Sequence, residues 1–351
     1  MLGVKLRALI ADQRGRPVAA DPVPFPNGAA VVDDGAAWVL IDGPAHAALG
    51  PALAWALHNE AGSLDLVADA DTGLLARRAE RFELPIRVWF SSERALLPAL
   101  AEPLPTPGVA SREHLGFAAL IEGSGADLSV EHGVVSGEVR GLEVCRVVDQ
   151  PTSGNFVEPV EAIGTVEADV VHAQQADGLQ LEVGVGAADR EAFQLIHGDI
   201  PTAEALADVV GSVTAHRSDD APQHPLNRLA RERALRWQAV RDPAIVGLDS
   251  ARPIDPPVAR RNLRDPVPCV AAGIDSDGRP ATVVFSSGVD LDLIPFVADV
   301  SARAVGPFDR VELDMNPEGR LIVALPARDL VPATKRLALL LDRPVDFVPL
   351  G

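Results

Sequence analysis

Two sets of residues in this chain have the types and spacing to do chemistry. The first is a set of carboxylates on strand-like runs at Leu128–Val135, Glu138–Val148 and Leu179–Val185. Glu138 and Glu143 lie on one run and Glu182 on the next. Two acids aimed at one point can hold Mg²⁺, so Glu143 and Glu182 are the candidate metal-binding and catalytic residues. The competing reading is plain alternation of solvated acids with apolar residues, with Arg146 or Arg190 as ion-pair partners. The second set is an arginine block. From Leu226 to Arg264 there are nine arginines against four acids (Glu232, Asp242, Asp249, Asp255), an excess of five positive charges in a chain of net charge −19. Arg228, Arg231, Arg233, Arg236, Arg260 and Arg261 are the candidate binding residues, for nucleic acid or for an acidic protein. The alternative is that these arginines only pair with the acids of neighbouring domains.

The elements that must carry these groups follow from periodicity. Val267–Ile274 and Ala281–Phe285 are apolar runs separated by Asp275-Ser276-Asp277-Gly278-Arg279. Asp-Gly between two such runs predicts a β-hairpin, with a helix expected from Asp290 to Arg303. Earlier, Ala36–Ile41, Leu64–Ala68 and Ile86–Phe90 read as strands. Helices are expected over Ala45–Asn59 and from Asp71-Thr72 to Phe82. Strand–helix–strand–helix–strand predicts a parallel sheet, and strand C-terminal ends put Asp42 and Asp69 at a candidate site. A Pro/Gly-rich lead, Arg14–Gly28, carries no periodic pattern. Further helices are expected at Thr202–His216, with Thr202 as N-cap, and at Leu226–Arg241. Pro-rich or polar breaks at Leu97–Gly108 and Arg217–Pro225 divide the chain into three expected domains. These are a Rossmann-like α/β domain over 1–105, an α/β domain over 110–220 with an inserted loop at 150–178, and a third α/β domain over 226–351.

The order in 226–351 is helix, strand, Asp-x-Asp-Gly-Arg turn, strand, helix, strand, helix, strand. On Asp275, Asp277, Gly278, Arg279, Leu321–Pro326 and Val345–Val348 it resembles the PD-(D/E)XK nuclease superfamily, and within it the mismatch-specific endonucleases (NucS-like). The resemblance covers about a third of the chain and implies a restriction-endonuclease-like fold. It also implies two acids for Mg²⁺ and a lysine to position water. Those positions fall near Val270 and at Phe285-Ser286-Ser287, which carry no carboxylate or lysine. Asp265, Asp290 and Asp292 are the nearby acids. The middle domain reads as a second, weaker copy, with Asp177-Gly178 and the strand Leu179–Val185 echoing the later hairpin. There too the motif is broken, because Gly184 stands two residues beyond Glu182.

Composition narrows the functional classes. The 47% hydrophobic content supplies real cores, and the pI near 4.8 opposes phosphate backbones outside a local basic patch. Tyrosine is absent, which disfavours base-stacking surfaces. Neither G-x-G-x-x-G nor a P-loop occurs. Cys145 and Cys269 lie in apolar runs and read as buried thiols. No apolar run reaches the roughly 18 residues of a membrane span, and the start of the chain has no signal-peptide pattern. The expectation is a cytoplasmic, non-catalytic protein with a binding or regulatory role. The alternatives are a Mg²⁺-dependent nuclease or hydrolase built on the middle domain, with Mg²⁺ as its one cofactor, and a protein–protein scaffold.

Overall fold

The computed structural model describes residues 1–92, 95–149, 178–186, 189–190, 201–217, 224–260, 267–302 and 319–351. The chain is mixed α/β and forms two compact units. One contains Met1–Pro105, Ala239–Val258 and Pro268–Gly351; the other contains Thr106–Gln238 and Ala259–Val267. No helix among the described residues is long and apolar enough to cross a membrane.

The N-terminal half of the first unit begins with helix α1 (Leu2–Arg14). A meander of β1 (Val23–Phe25), β2 (Gly28–Asp33) and β3 (Ala36–Ile41) follows, then α2 (Leu49–His58), β4 (Ser63–Ala68), α3 (Thr72–Ala79), β5 (Ile86–Ser92) and β6 (Ala95–Pro98). The sheet order is β1-β2-β3-β4-β5-β6. β3, β4 and β5 run parallel, as their apolar runs and intervening helices require. The two antiparallel hairpins ahead of them lie partly in the Pro/Gly-rich lead. Their turns place Asn27, Asp34 and Gly35 at positive φ, the conformation that Asn, Asp and Gly tolerate best. One sheet face packs against α1 through Leu6, Leu9, Ile10, Trp38 and Leu40. Asp71 does not cap α3. Its Oδ2 instead accepts the backbone N–H groups of Ala45 and His46, each at 2.9 Å, tying together the loops after β3 and β4.

The second unit contains α4 (Arg112–Leu115), α5 (Ala118–Gly123), strands β7 (Asp127–Glu131), β8 (Val134–Val139), β9 (Leu142–Asp149) and β10 (Leu179–Val183), α6 (Thr202–His216) and most of α7 (Arg231–Arg241). Its sheet, β10-β9-β8-β7, is antiparallel throughout. The expected echo of the later domain therefore extends to a hairpin and not to a parallel order. Pro201 occupies the N-cap position of α6, and Thr202 is already helical. The helix expected over Leu226–Arg241 divides at Ala230, whose φ is +46°, into a 3₁₀ turn and α7. Residues 150–177 of the inserted loop lie outside the described residues.

The C-terminal half of the first unit runs β11 (Ser250–Ile254), β12 (Cys269–Ile274), β13 (Pro280–Phe285), α8 (Leu293–Ala302), β14 (Arg320–Pro326), α9 (Pro332–Ala338) and β15 (Asp346–Leu350). β11 to β13 form an antiparallel meander, and β13, β14 and β15 are parallel. The expected hairpin is present, closed by Gly278 at φ +75°. This order repeats that of β1 to β5 strand for strand and helix for helix. Reciprocal hydrogen bonds mark the relation. Phe82 bridges Leu341, the Glu83 N–H donates to the Leu340 carbonyl, and the Asp342 N–H donates to the Arg81 carbonyl.

The two halves meet through helices: α3 on α8, α9 on α2, and α2 on α8. Four charges are buried in this layer. Asp299, at 1% exposure, accepts from Arg77 Nε at 2.9 Å and Arg78 Nε at 2.7 Å. Asp292 accepts from the Gly50 N–H and from Arg78 Nη1, both at 2.9 Å. Burial pushes the Asp292 carboxyl up to about 6, against the pull of Arg78 and the Gly50 N–H. Removing one partner of a buried pair leaves an uncompensated charge, so Asp299→Ala should destabilise this unit by about 3–5 kcal/mol in urea unfolding. Arg7→Ala, at a pair exposed on both sides, should cost under about 1 kcal/mol. Because the native pKa of Asp292 lies above the unfolded value near about 3.9, the native state binds the proton more tightly. This group therefore favours folding below about pH 4 and loses that contribution as pH rises through about 6. Urea titrations at pH 7 and pH 5 should show wild type gaining stability relative to Asp292→Asn on acidification.

Candidate functional site

The candidate residues of the second unit converge on α7. Positions 233, 236 and 237 share one face of a helix, being three and four residues apart. Alternate residues Asp127, Ser129 and Glu131 present one face of β7, and Glu138 of β8 pairs with Asp127. Arg233 bonds both Glu131 and Glu138 through separate guanidinium nitrogens. Arg236 Nη1 donates to Glu131 at 3.2 Å, and Trp237 Nε1 donates to Asp127 at 2.7 Å. Arg140, on the β8–β9 turn, lies over the Trp237 ring at 5.2 Å. Gly141 lets that turn touch the helix backbone, since a Cβ there would stand 2.5 Å from the Arg233 carbonyl carbon.

Burial alone would raise the Glu138 carboxyl. The guanidiniums of Arg233, Arg236 and Arg260 outweigh it and hold the group below the usual carboxylate range. Glu232 goes the other way, because burial exceeds the pull of its arginine neighbours. Burial and the nearby Arg233 charge lower Arg260. Its side chain, 6% exposed, lies 3.9 Å from Glu143 and 4.0 Å from Glu232. Burial also pushes Arg217 down to about 10, and its guanidinium donates to the carbonyls of Leu226, Leu229 and Arg140.

The structure brings Glu143 and Glu182 together, around an arginine. Arg190 Nη1 donates to Glu143 at 2.8 Å and its Nε donates to Glu182 at 3.1 Å. Arg146 adds a two-pronged contact to Glu143, at 3.0 and 2.8 Å. Both Glu143 oxygens and Glu182 Oε2 thus accept from guanidinium N–H groups. Among the described residues no group of three or more His, Cys, Asp and Glu side chains is placed to hold a metal ion. Burial pushes the Cys145 thiol up to about 12, which leaves it unreactive at neutral pH.

Of the binding candidates, Arg233, Arg236 and Arg260 have buried side chains, whereas Arg228 and Arg231 are exposed. Arg261 lies outside the described residues. At the resemblance motif, Val270 and Phe285 are core residues, exposed by 1% and 0%. Asp275 accepts from the Asp277 and Arg279 N–H groups and from Arg279 Nε. The Arg279 backbone bond leads in holding its carboxyl below the usual range. Asp290 caps the Asp292 N–H, Asp292 turns to Arg78, and Asp265 lies outside the described residues. Asp42 and Asp69 are exposed strand-end acids. Glu138 stood among the carboxylates named from the sequence and Glu131 did not, and charge counting in a linear window linked neither to Arg233, which lies 95 and 102 residues away.

Compared with known protein families, curated proteins and solved structures, the chain has no match.

Arg233→Ala should cost about 3–5 kcal/mol, because Glu131 and Glu138 lose their shared partner inside the unit. Arg231→Ala, two residues away and exposed, should stay within about 0.5 kcal/mol. Urea unfolding followed by circular dichroism distinguishes the two.

Proposed function

We propose that this chain is a non-catalytic binding protein, closer to a scaffold than to a nuclease. One observation carries the reading: the arginines that would contact phosphate, Arg233, Arg236 and Arg260, are turned inward against the chain's own glutamates. The chain as a whole carries an excess of acid, with a net charge of −19. Such a charge favours a basic partner and disfavours nucleic acid. A degenerate PD-(D/E)XK-like relation stays within this proposal. The meander, helix and parallel strands of 250–350 support it, and Val270 and Phe285 at the ligand positions support its lack of catalysis. Three consecutive parallel strands support the Rossmann-like description of the N-terminal region.

Filter binding of single- and double-stranded nucleic acid at low salt tests the reading, together with titration calorimetry using Mg²⁺ and Mn²⁺. The expected results are no retention and no saturable heat. Retention that weakens by close to one log unit per contacted phosphate per tenfold salt, and is lost in Arg228→Ala/Arg231→Ala, would return nucleic acid as the partner. A saturable metal isotherm abolished by Glu143→Gln would return the hydrolase.

A further inference from the structure

The first unit holds a cavity of about 420 Å³ between α3, β5 and the segment that follows β6. That segment is fastened at both ends. The Ala99 N–H donates to the Val88 carbonyl at 2.9 Å, and the Glu102 N–H donates to the Gly73 carbonyl at 3.1 Å, at the start of α3. Arg77 Nη1 adds bonds to the carbonyls of Glu102 and Pro103, at 3.2 and 3.1 Å. The chain thus arches from the sheet edge to the helix and leaves space beneath. Small side chains keep the space open, Ala76 and Ala79 on α3 and Ala99 and Ala101 on the arch. The volume falls in the range of ligand pockets, about 300–1,000 Å³.

Apolar surface continues out of the cavity. Trp89 packs on the α1 side of the sheet, so Val88 and Phe90 face the opposite side. Val88 lines the cavity. Phe90 is 38% exposed, and Leu97, directly across from it on β6, is 50% exposed. Leu100, at the cavity wall, is 86% exposed. Directly opposed residues share a face, so the cavity and these side chains form one apolar strip. Charge at its rim is one-sided. Arg87 is held by the fully buried Asp65, at 2.8 Å from both Nε and Nη2. The exposed Glu80 carboxylate has no ion pair or hydrogen bond with another described residue.

We infer that this cavity and strip dock a basic segment of another protein, with one aliphatic side chain seated in the cavity and a neighbouring lysine or arginine meeting Glu80. The inference rests on the reading of the chain as a binding protein for a basic partner. The strip beyond the cavity selects a protein segment over a small amine, which would fill the cavity and leave Phe90 and Leu97 in water. The arch is fastened before a partner arrives, so seating the anchor demands little ordering.

Titration of the nitrogen-15-labelled full chain with the peptide acetyl-Ala-Lys-Leu-Ala-amide, followed by amide chemical shifts, tests this. Saturable shifts centred on Ala76, Val88, Ala99 and Leu100 are expected. Ala76→Leu fills the cavity from a half-buried helix position and should weaken binding by about tenfold or more. Leu100→Asp removes the exposed wall without altering the helix and should weaken it as well. Glu80→Gln should weaken it about two- to fivefold. Circular dichroism and the unfolding midpoint check that each variant keeps the fold. No saturable shift overturns the inference. Binding left unchanged by Leu100→Asp, or by a folded Ala76→Leu, overturns the site while the basic-partner reading stands. Equal binding of the peptide with glutamate in place of lysine overturns both. Equal binding of hexylamine at the same amides overturns the protein segment as the occupant.

Discussion

Each compact unit depends on the requirement that a buried charge have a counter-charge within reach. Removing a guanidinium or a carboxylate from water costs several kcal/mol, repaid only when good geometry and hydrogen bonds accompany the pairing. In the first unit, Arg77 and Arg78 meet Asp299 and Asp292 in the helix layer between two sheets. In the second, Arg233 meets Glu131 and Glu138, and Arg190 meets Glu143 and Glu182. Such pairs specify one arrangement strongly, because a shifted helix would strand a charge in the core. They also remove these side chains from any role at the surface. The same residues cannot satisfy a buried carboxylate and contact an external phosphate at once.

The first unit shows how one architecture can be used twice and differentiated. Both halves place a three-stranded meander ahead of two helix-linked parallel strands. The reciprocal Glu83–Leu340 and Asp342–Arg81 bonds give the halves a common reference point. Around it the helix layer is unequal. Arg78 of α3 carries charge into the layer, while Leu337 of α9, four residues before the bridge just as Arg78 is, is apolar and buried. Among the described residues the buried ion cluster therefore forms where α3 meets α8 and not where α9 meets α2.

Much of this was legible in the sequence, and the remainder fails for identifiable reasons. Ala36–Ile41, Leu64–Ala68 and Ile86–Phe90 declared themselves as strands, and Asp277-Gly278 declared its hairpin. The β1–β3 meander carried equally good turn signals at Asn27-Gly28 and Asp34-Gly35, masked by the prolines around Val23. β11 contains Arg252-Pro253 and has little apolar content, so only its pairing with β12 makes it a strand. The repeat was sought between neighbouring segments, yet its members are separated by most of the second unit, Thr106–Gln238. Its local trace is Leu84-Pro85-Ile86 against Arg343-Pro344-Val345, too short to stand out. The arginine block was visible as charge, but charge in a window says nothing of carboxylates about 100 residues away in sequence that a β-sheet brings underneath.

The most direct test of the internal role of the arginines is a double-mutant cycle on Arg233 and Glu138 in urea unfolding, using Arg233→Met and Glu138→Gln. A buried, hydrogen-bonded pair predicts a coupling energy of about 1.5 kcal/mol or more. A coupling near zero, with the single changes adding simply, would mean that Arg233 is not committed to the fold and would contradict the account.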